Sequence, residues 1–127
     1  MNVVDSSGWL EYFSDGENAS FFAPAIEDTA HLLVPTVSLY EVFKRLIAQR
    51  GEHIALVHIG DMHQGQITEL TSSIALEAAK LSGELKIAMA DSIILATARI
   101  HDATLWTQDV DFEGIAGVEY VSKESRK

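Results

Sequence analysis

Ala90-Asp91-Ser92-Ile93-Ile94-Leu95-Ala96-Thr97-Ala98-Arg99-Ile100-His101 runs almost directly into Thr104-Leu105-Trp106-Thr107-Gln108-Asp109-Val110-Asp111-Phe112. The first stretch is strongly apolar, free of Gly and Pro, and long enough for a helix of several turns. The second opens with β-branched and aromatic residues and then breaks into an acidic turn, as a short strand does where it leaves a sheet. A helix that feeds a strand ending in carboxylates is the repeating half of an α/β fold.

The same alternation extends outward over the chain. Residues 2–5 read as a short buried strand, Ser6-Ser7-Gly8 as a turn and helix start, and Trp9-Leu10-Glu11-Tyr12-Phe13 as an apolar helical face. Residues 17–30 read as a second helix carrying Phe21, Phe22 and Ile26, in which Pro24 fits only the first turn. His31-Leu32-Leu33-Val34 is a strand stopped by Pro35. Thr36–Arg50 is a long amphipathic helix with Val37, Tyr40, Phe43, Leu46 and Ile47 at helical spacing, and Gly51 breaks it. A helix over 52–63 and a strand over 66–70 follow. Ser72–Leu85 is a helix whose buried face is Ile74, Leu76, Ala78 and Leu81, and 118–121 is a last strand. The expected fold is a three-layer α/β/α sandwich with a mostly parallel central sheet. At 127 residues the chain suits one domain, residues 1–122, with a polar, frayed tail at 123–127.

Hydrophobic residues make up 47% of the chain, enough to build a core, and cysteine is absent. Disulfides and thiolate metal sites are therefore excluded. No apolar run reaches the roughly 20 residues that span a bilayer. No basic segment followed by an apolar stretch opens the sequence, so the expected location is cytoplasmic. The net charge of −10 is unusual for a protein that meets nucleic acid, because phosphate contact favours a basic surface. A nucleic-acid substrate would have to be met by a local basic patch, by bound cations or by a second subunit. A basic protein partner fits the total more easily, and ordinary solubility explains it equally well.

Asp5, Glu41, Asp91, Asp109 and Asp111 each lie beside or inside an apolar stretch, where a carboxylate is costly unless paired, hydrogen-bonded or bound to a cation. Asp5 ends the first strand, and Asp109 and Asp111 follow the strand ending at Thr107. Asp91 opens the apolar helix, and Glu41 sits about a turn into the helix after the second strand. In parallel α/β sheets ligands bind beyond the carboxyl ends of the strands, so this arrangement gathers the acids at one edge. Converging acids repel one another, and a divalent cation is the simplest group to hold them. All-carboxylate donors suit Mg²⁺ or Mn²⁺ rather than zinc. One or two such ions activate water and stabilise charge on phosphate oxygen. Each acid also has a structural explanation. Asp5 can cap the first helix, Ser38 to Glu41 matches a capping box, Asp91 can be an N-cap, and Asp109-Val110-Asp111 can be a turn.

Four segments occur in a telling order: Val4-Asp5-Ser6-Ser7, Leu39-Tyr40-Glu41-Val42, Ala90-Asp91-Ser92-Ile93-Ile94-Leu95-Ala96-Thr97-Ala98, and Leu105-Trp106-Thr107-Gln108-Asp109-Val110-Asp111-Phe112. Together they resemble the PIN-domain nucleases, especially the small VapC-type toxins, over residues 3–121. The resemblance implies a Mg²⁺- or Mn²⁺-dependent endoribonuclease acting on transfer or ribosomal RNA, as the toxin of a type II toxin–antitoxin pair. It implies that Asp5, Glu41, Asp91 and Asp109 form the acidic quartet, that Asp111 is a further acid, and that Ser7 and Thr107 orient them. It also implies a homodimer and a cognate antitoxin whose tail blocks the acidic groove. Lys44, Arg45 and Arg50 follow Glu41, and Lys80 and Lys86 flank the approach to Asp91, so they are candidates for an RNA-facing rim. They are equally explained as solvated helix faces.

A catalytically silent, protein-binding version of the same fold is the main alternative, motivated by the acidic total. A phosphoaspartyl enzyme fits poorly, because Ser7 stands where a haloacid-type phosphatase needs a second Asp. His53, His58 and His63 recur every five residues, which is not the spacing of a helical metal pair, and are expected to be surface or partly buried side chains. Trp9, Trp106 and Met89 are expected to pack in the core. There is no nucleophilic triad and no Gly-rich phosphate loop.

Overall fold

The computed structural model describes residues 1–123. The tail expected to fray lies, beyond Lys123, outside the described residues. Strands β1 (Asn2–Val4), β2 (Leu32–Pro35), β3 (Gln66–Thr68), β4 (Thr104–Thr107) and β5 (Val118–Tyr120) alternate with helices α1 (Ser6–Phe13), α2 (Ala19–Glu27), α3 (Thr36–Arg50), α4 (Glu52–Met62), α5 (Ser72–Leu85) and α6 (Met89–Ile100). The sheet has the order β3-β2-β1-β4-β5, and every pairing is parallel. This is the expected three-layer α/β/α sandwich, with a sheet parallel throughout rather than mostly so.

Side-chain alternation along the strands builds the two outer layers. Val3, Leu33 and Leu105 point to one face, where Ile74, Leu81, Ile94 and Leu95 of α5 and α6 cover them. Val4, Leu32, Val34 and Trp106 point to the other, against Trp9, Phe22, Val42, Leu46 and Ala55 of α1 to α4. Each fully buried Leu, Ile or Phe contributes roughly 1.5–3 kcal/mol of burial free energy, so these faces hold the sheet between the helices.

Several expected core residues are on the surface. Tyr40 is 63% exposed, Leu76 70% and Met89 75%, and Ile47 is exposed as well. Apolar side chains occupy more than one face of α3, and the face that packs is Ser38, Val42 and Leu46, at steps of four residues. Trp9 is buried as expected, and Trp106 is half-buried at the margin of its cluster. Pro24 lies inside α2 rather than in its first turn. It removes the N–H that would bond the Ser20 carbonyl. The helix stops at Glu27 and a tighter turn, Thr29–His31, finishes the connection to β2. His53 and His63 are exposed, and His58 stacks on Phe13 with ring centroids 4.2 Å apart.

Candidate active site

The carboxyl ends of β1 and β4 lie side by side, since Val4 pairs with Trp106. The chain leaves β1 at Asp5, which is only 2% exposed and caps α1 by accepting the Gly8 N–H at 2.9 Å. Ser7 Oγ donates to both carboxylate oxygens of Asp5, at 3.0 and 3.1 Å. Thr107 Oγ1, at the end of β4, donates to Asp5 Oδ2 at 2.6 Å and accepts the Asp109 N–H at 2.9 Å. One hydroxyl therefore ties the first acid to the loop that carries the fourth. Asp109 also accepts the Asp111 N–H at 3.0 Å, so the acidic turn has the side-chain geometry of a turn cap as well.

Glu41 reaches the same edge from α3. That helix starts directly after Pro35, so Ser38 is not a helix cap and the expected capping box does not form. Glu41 Oε1 instead accepts from Ser6 Oγ at 2.6 Å. Asp91 lies in the first turn of α6, where Ala88 occupies the cap position. Unpaired N–H groups at that end favour its charge.

Asp5, Ser6, Ser7, Glu41, Asp91 and Asp109 line one cleft of about 470 Å³, together with Tyr40, Lys44 and Arg45. Carboxylate oxygens of Asp91, Asp109 and Asp111 lie within 4.8 Å of one another. Arg50, Lys80 and Lys86, also expected at the rim, do not line the cleft; Lys86 closes α5 in a left-handed conformation instead.

Burial first, and crowding of like charge after it, show in the proton affinities. Burial raises the Asp5 carboxyl from 3.8 to about 6 against the lowering effect of its hydrogen bonds from Thr107, Gly8 and Ser7, and the charge of Asp109 adds to the rise. Burial, then the charges of Asp109, Asp5, Glu41 and Asp111, raise Asp91 from 3.8 to about 6. Every other acid of the set thus acts on Asp91. Among the described residues no Lys, Arg or His forms an ion pair with any of the five. An uncompensated, all-oxygen donor set of this kind fits a hard divalent cation.

Behind the cleft lies a polar clamp that sequence reasoning missed. Gln108, between Thr107 and Asp109, is 6% exposed and turns its side chain away from the acids. Its Oε1 accepts from Asn18 Nδ2 at 2.9 Å, and its Nε2 reaches Ser7 O and Glu11 Oε1, both at 3.4 Å. Glu11 Oε2 accepts the Asn18 N–H at 2.8 Å. The clamp joins the acidic turn to α1, the helix that Asp5 caps. No local motif marks it, because Asn18 and Gln108 are 90 residues apart.

The profile of the PIN domain matches residues 3–118. The chain belongs to the PIN domain family. No curated protein sequence matches it significantly. Among solved structures, this PIN domain is similar to a toxin-antitoxin complex from Klebsiella pneumoniae, with 26% identity, a TM-score of 0.78, and coverage of 94% of this chain and 96% of that one. DNA-bound VapBC from Salmonella typhimurium is 14% identical with a TM-score of 0.74, covering 95% and 96%. A sarcin-ricin-loop-cleaving VapC toxin from Mycobacterium tuberculosis is 12% identical with a TM-score of 0.69, covering 89% and 92%. The last two likenesses are ones of fold.

Proposed function

We propose that this PIN domain is a divalent-cation-dependent endoribonuclease and the toxin of a type II toxin–antitoxin pair. The observation that carries the reading is Asp91, a half-buried carboxylate acted on by four other acids, with no basic partner among the described residues. Asp91, Asp109 and Asp111, whose carboxylate oxygens lie within 4.8 Å of one another, would hold Mg²⁺ or Mn²⁺, with Asp5 and Glu41 in the adjoining cleft completing the acidic set. Such an ion supplies charge stabilisation for a phosphoryl oxygen and acidifies water.

The chain's own groups have defined tasks in this reading. Ser7 and Thr107 fix the Asp5 carboxylate, and Ser6 fixes that of Glu41. Asp91, whose side chain accepts no hydrogen bond among the described residues, takes the proton of the attacking water. Water adds to phosphorus as the P–O3′ bond breaks, leaving a 5′-phosphate and a 3′-hydroxyl that regains a proton. Lys44 and Arg45 supply the local positive charge that a chain of net charge −10 otherwise lacks.

A protein partner is the second part of the reading. An apolar cleft formed by Leu39, Phe43, Leu56 and Ile59 adjoins the acidic one and shares Tyr40 with it. An antitoxin tail with basic and apolar side chains suits both, and a homodimer is part of the same proposal. The Klebsiella neighbour is itself a toxin-antitoxin complex. A catalytically silent binding module would draw on the same surfaces, but it gives no reason to hold together five acids that form no ion pair among the described residues. The test is RNA cleavage and calorimetric Mn²⁺ titration of wild type and Asp91→Asn. The nuclease reading expects both signals in wild type and their loss in the variant. Mn²⁺-independent binding of a protein partner, with no cleavage by wild type, would favour the silent module.

A further inference from the structure

The helix that presents Glu41 also presents an aromatic ring that the core does not use. α3 turns Ser38, Val42 and Leu46 inward. Tyr40 is 63% exposed and is the one aromatic side chain in the exposed class among the described residues. It stands on the wall of the acidic cleft beside Glu41, and Lys44 and Arg45 line the same wall. Lys44 Nζ lies 5.7 Å from the centre of the Tyr40 ring.

We propose that Tyr40 is a stacking platform for an unpaired nucleobase next to the cleaved phosphodiester, with Lys44 and Arg45 meeting the adjoining phosphates. The proposal rests on the nuclease reading and adds a substrate preference to it. A solvent-exposed aromatic ring with cations on the following helical turn, one of them 5.7 Å from the ring centre, is the pairing that single-stranded nucleic acid requires, a π-face for the base and positive charge for the backbone. Bases within a duplex are already stacked and paired, so their faces cannot reach the ring, whereas loops, bulges and ends can splay a base onto it. Stacking is tolerant of base identity. The ring therefore selects unpaired structure rather than sequence. The overall negative charge strengthens the assignment, because phosphate is accepted only where cations are concentrated.

The experiment uses the full chain and a short single-stranded RNA of randomised sequence, with a duplex of equal length as control. Tyr40→Ala should weaken single-strand binding by about 5- to 100-fold and raise KM correspondingly, while Tyr40→Phe keeps wild-type behaviour. Duplex binding and Mn²⁺ affinity should not change in either variant. Replacing the nucleotide beside the cut by an abasic one should cost wild type as much as Tyr40→Ala does, and cost that variant nothing further. Unchanged single-strand affinity and KM in Tyr40→Ala, with wild-type cleavage intact, would overturn the platform and leave the nuclease reading standing. Loss of antitoxin binding in that variant, with RNA affinity unchanged, would assign the ring to a protein partner instead. Wild type that cleaves no RNA would remove both proposals together.

Discussion

Thr107 Oγ1 donates to Asp5 Oδ2 at 2.6 Å while accepting the backbone N–H of Asp109 at 2.9 Å, so a single hydroxyl spaces two acids carried by neighbouring strands. Asp5 is buried and the Asp109 N–H half-buried, so losing that hydroxyl takes one hydrogen bond from a buried carboxyl and leaves the donor without its partner. Thr107→Val should therefore destabilise the fold by about 2–4 kcal/mol, measured by denaturant unfolding in chelator. Thr107→Ser should restore most of it. Equal stability of Thr107→Val and wild type would mean that water replaces the hydroxyl at no cost.

The raised carboxyls of Asp5 and Asp91 make a pH prediction whose sign is fixed. Both stand at about 6 in the folded protein, above the unfolded value near 3.9. The folded state then binds more protons than the unfolded chain between about pH 4 and 6, and the free energy of unfolding falls as pH rises through that window. In metal-free protein near pH 7, Asp91→Asn should be more stable than wild type by about 1 kcal/mol after allowance for solvent screening, or roughly 4 °C in Tm. The difference should vanish near pH 4, where Asp91 is already neutral. A destabilised Asp91→Asn at neutral pH would contradict the assigned repulsion.

The Asn18–Gln108 pair should couple energetically. Asn18→Leu and Gln108→Leu each break the 2.9 Å contact, and a double-mutant cycle should return an interaction of about 1 kcal/mol. Because Gln108 adjoins Asp109, both variants should also weaken Mn²⁺ binding in calorimetry. Strict additivity of the two substitutions would deny the clamp any role.

Gly8 donates its N–H to Asp5, and a Cβ there would stand 2.6 Å from both Phe22 Cε1 and Val4 Cγ1. Gly8→Ala should therefore cost about 1–3 kcal/mol through overpacking, even though Ala is the better helix former. An unchanged midpoint in urea would mean that the α1–α2 packing yields freely.

Much of this architecture was legible from residue patterns. The bounds of α3, α5 and β4 coincide with those read from periodicity, because Gly51, the Thr71 cap and the polar turn after Thr107 end each pattern sharply. Facing was harder. Tyr40, Ile47 and Leu76 are apolar at helical spacing, yet the stripes that pack are Ser38, Val42 and Leu46 in α3 and Ile74, Ala78 and Leu81 in α5. Met89 reads as core by composition but falls at the start of α6, where the chain is turning toward solvent. The acids were expected beyond the carboxyl ends of the strands; Asp5, Glu41, Asp91 and Asp109 line one cleft, and Asp111 adjoins Asp91 and Asp109. The groups that hold them were harder to read. Ser6 finds Glu41 across 35 residues, and nothing local to either residue reports the other.

The central position of β1 has a consequence for synthesis. Its neighbour β4 is encoded about a hundred residues later, and Asp5 waits 102 residues for its Thr107 partner. On a ribosome, residues 104–111 must emerge before the first acid can meet Asp109 and Asp111. In a nascent chain the cleft that Asp109 and Asp5 share is therefore incomplete until that late segment has docked.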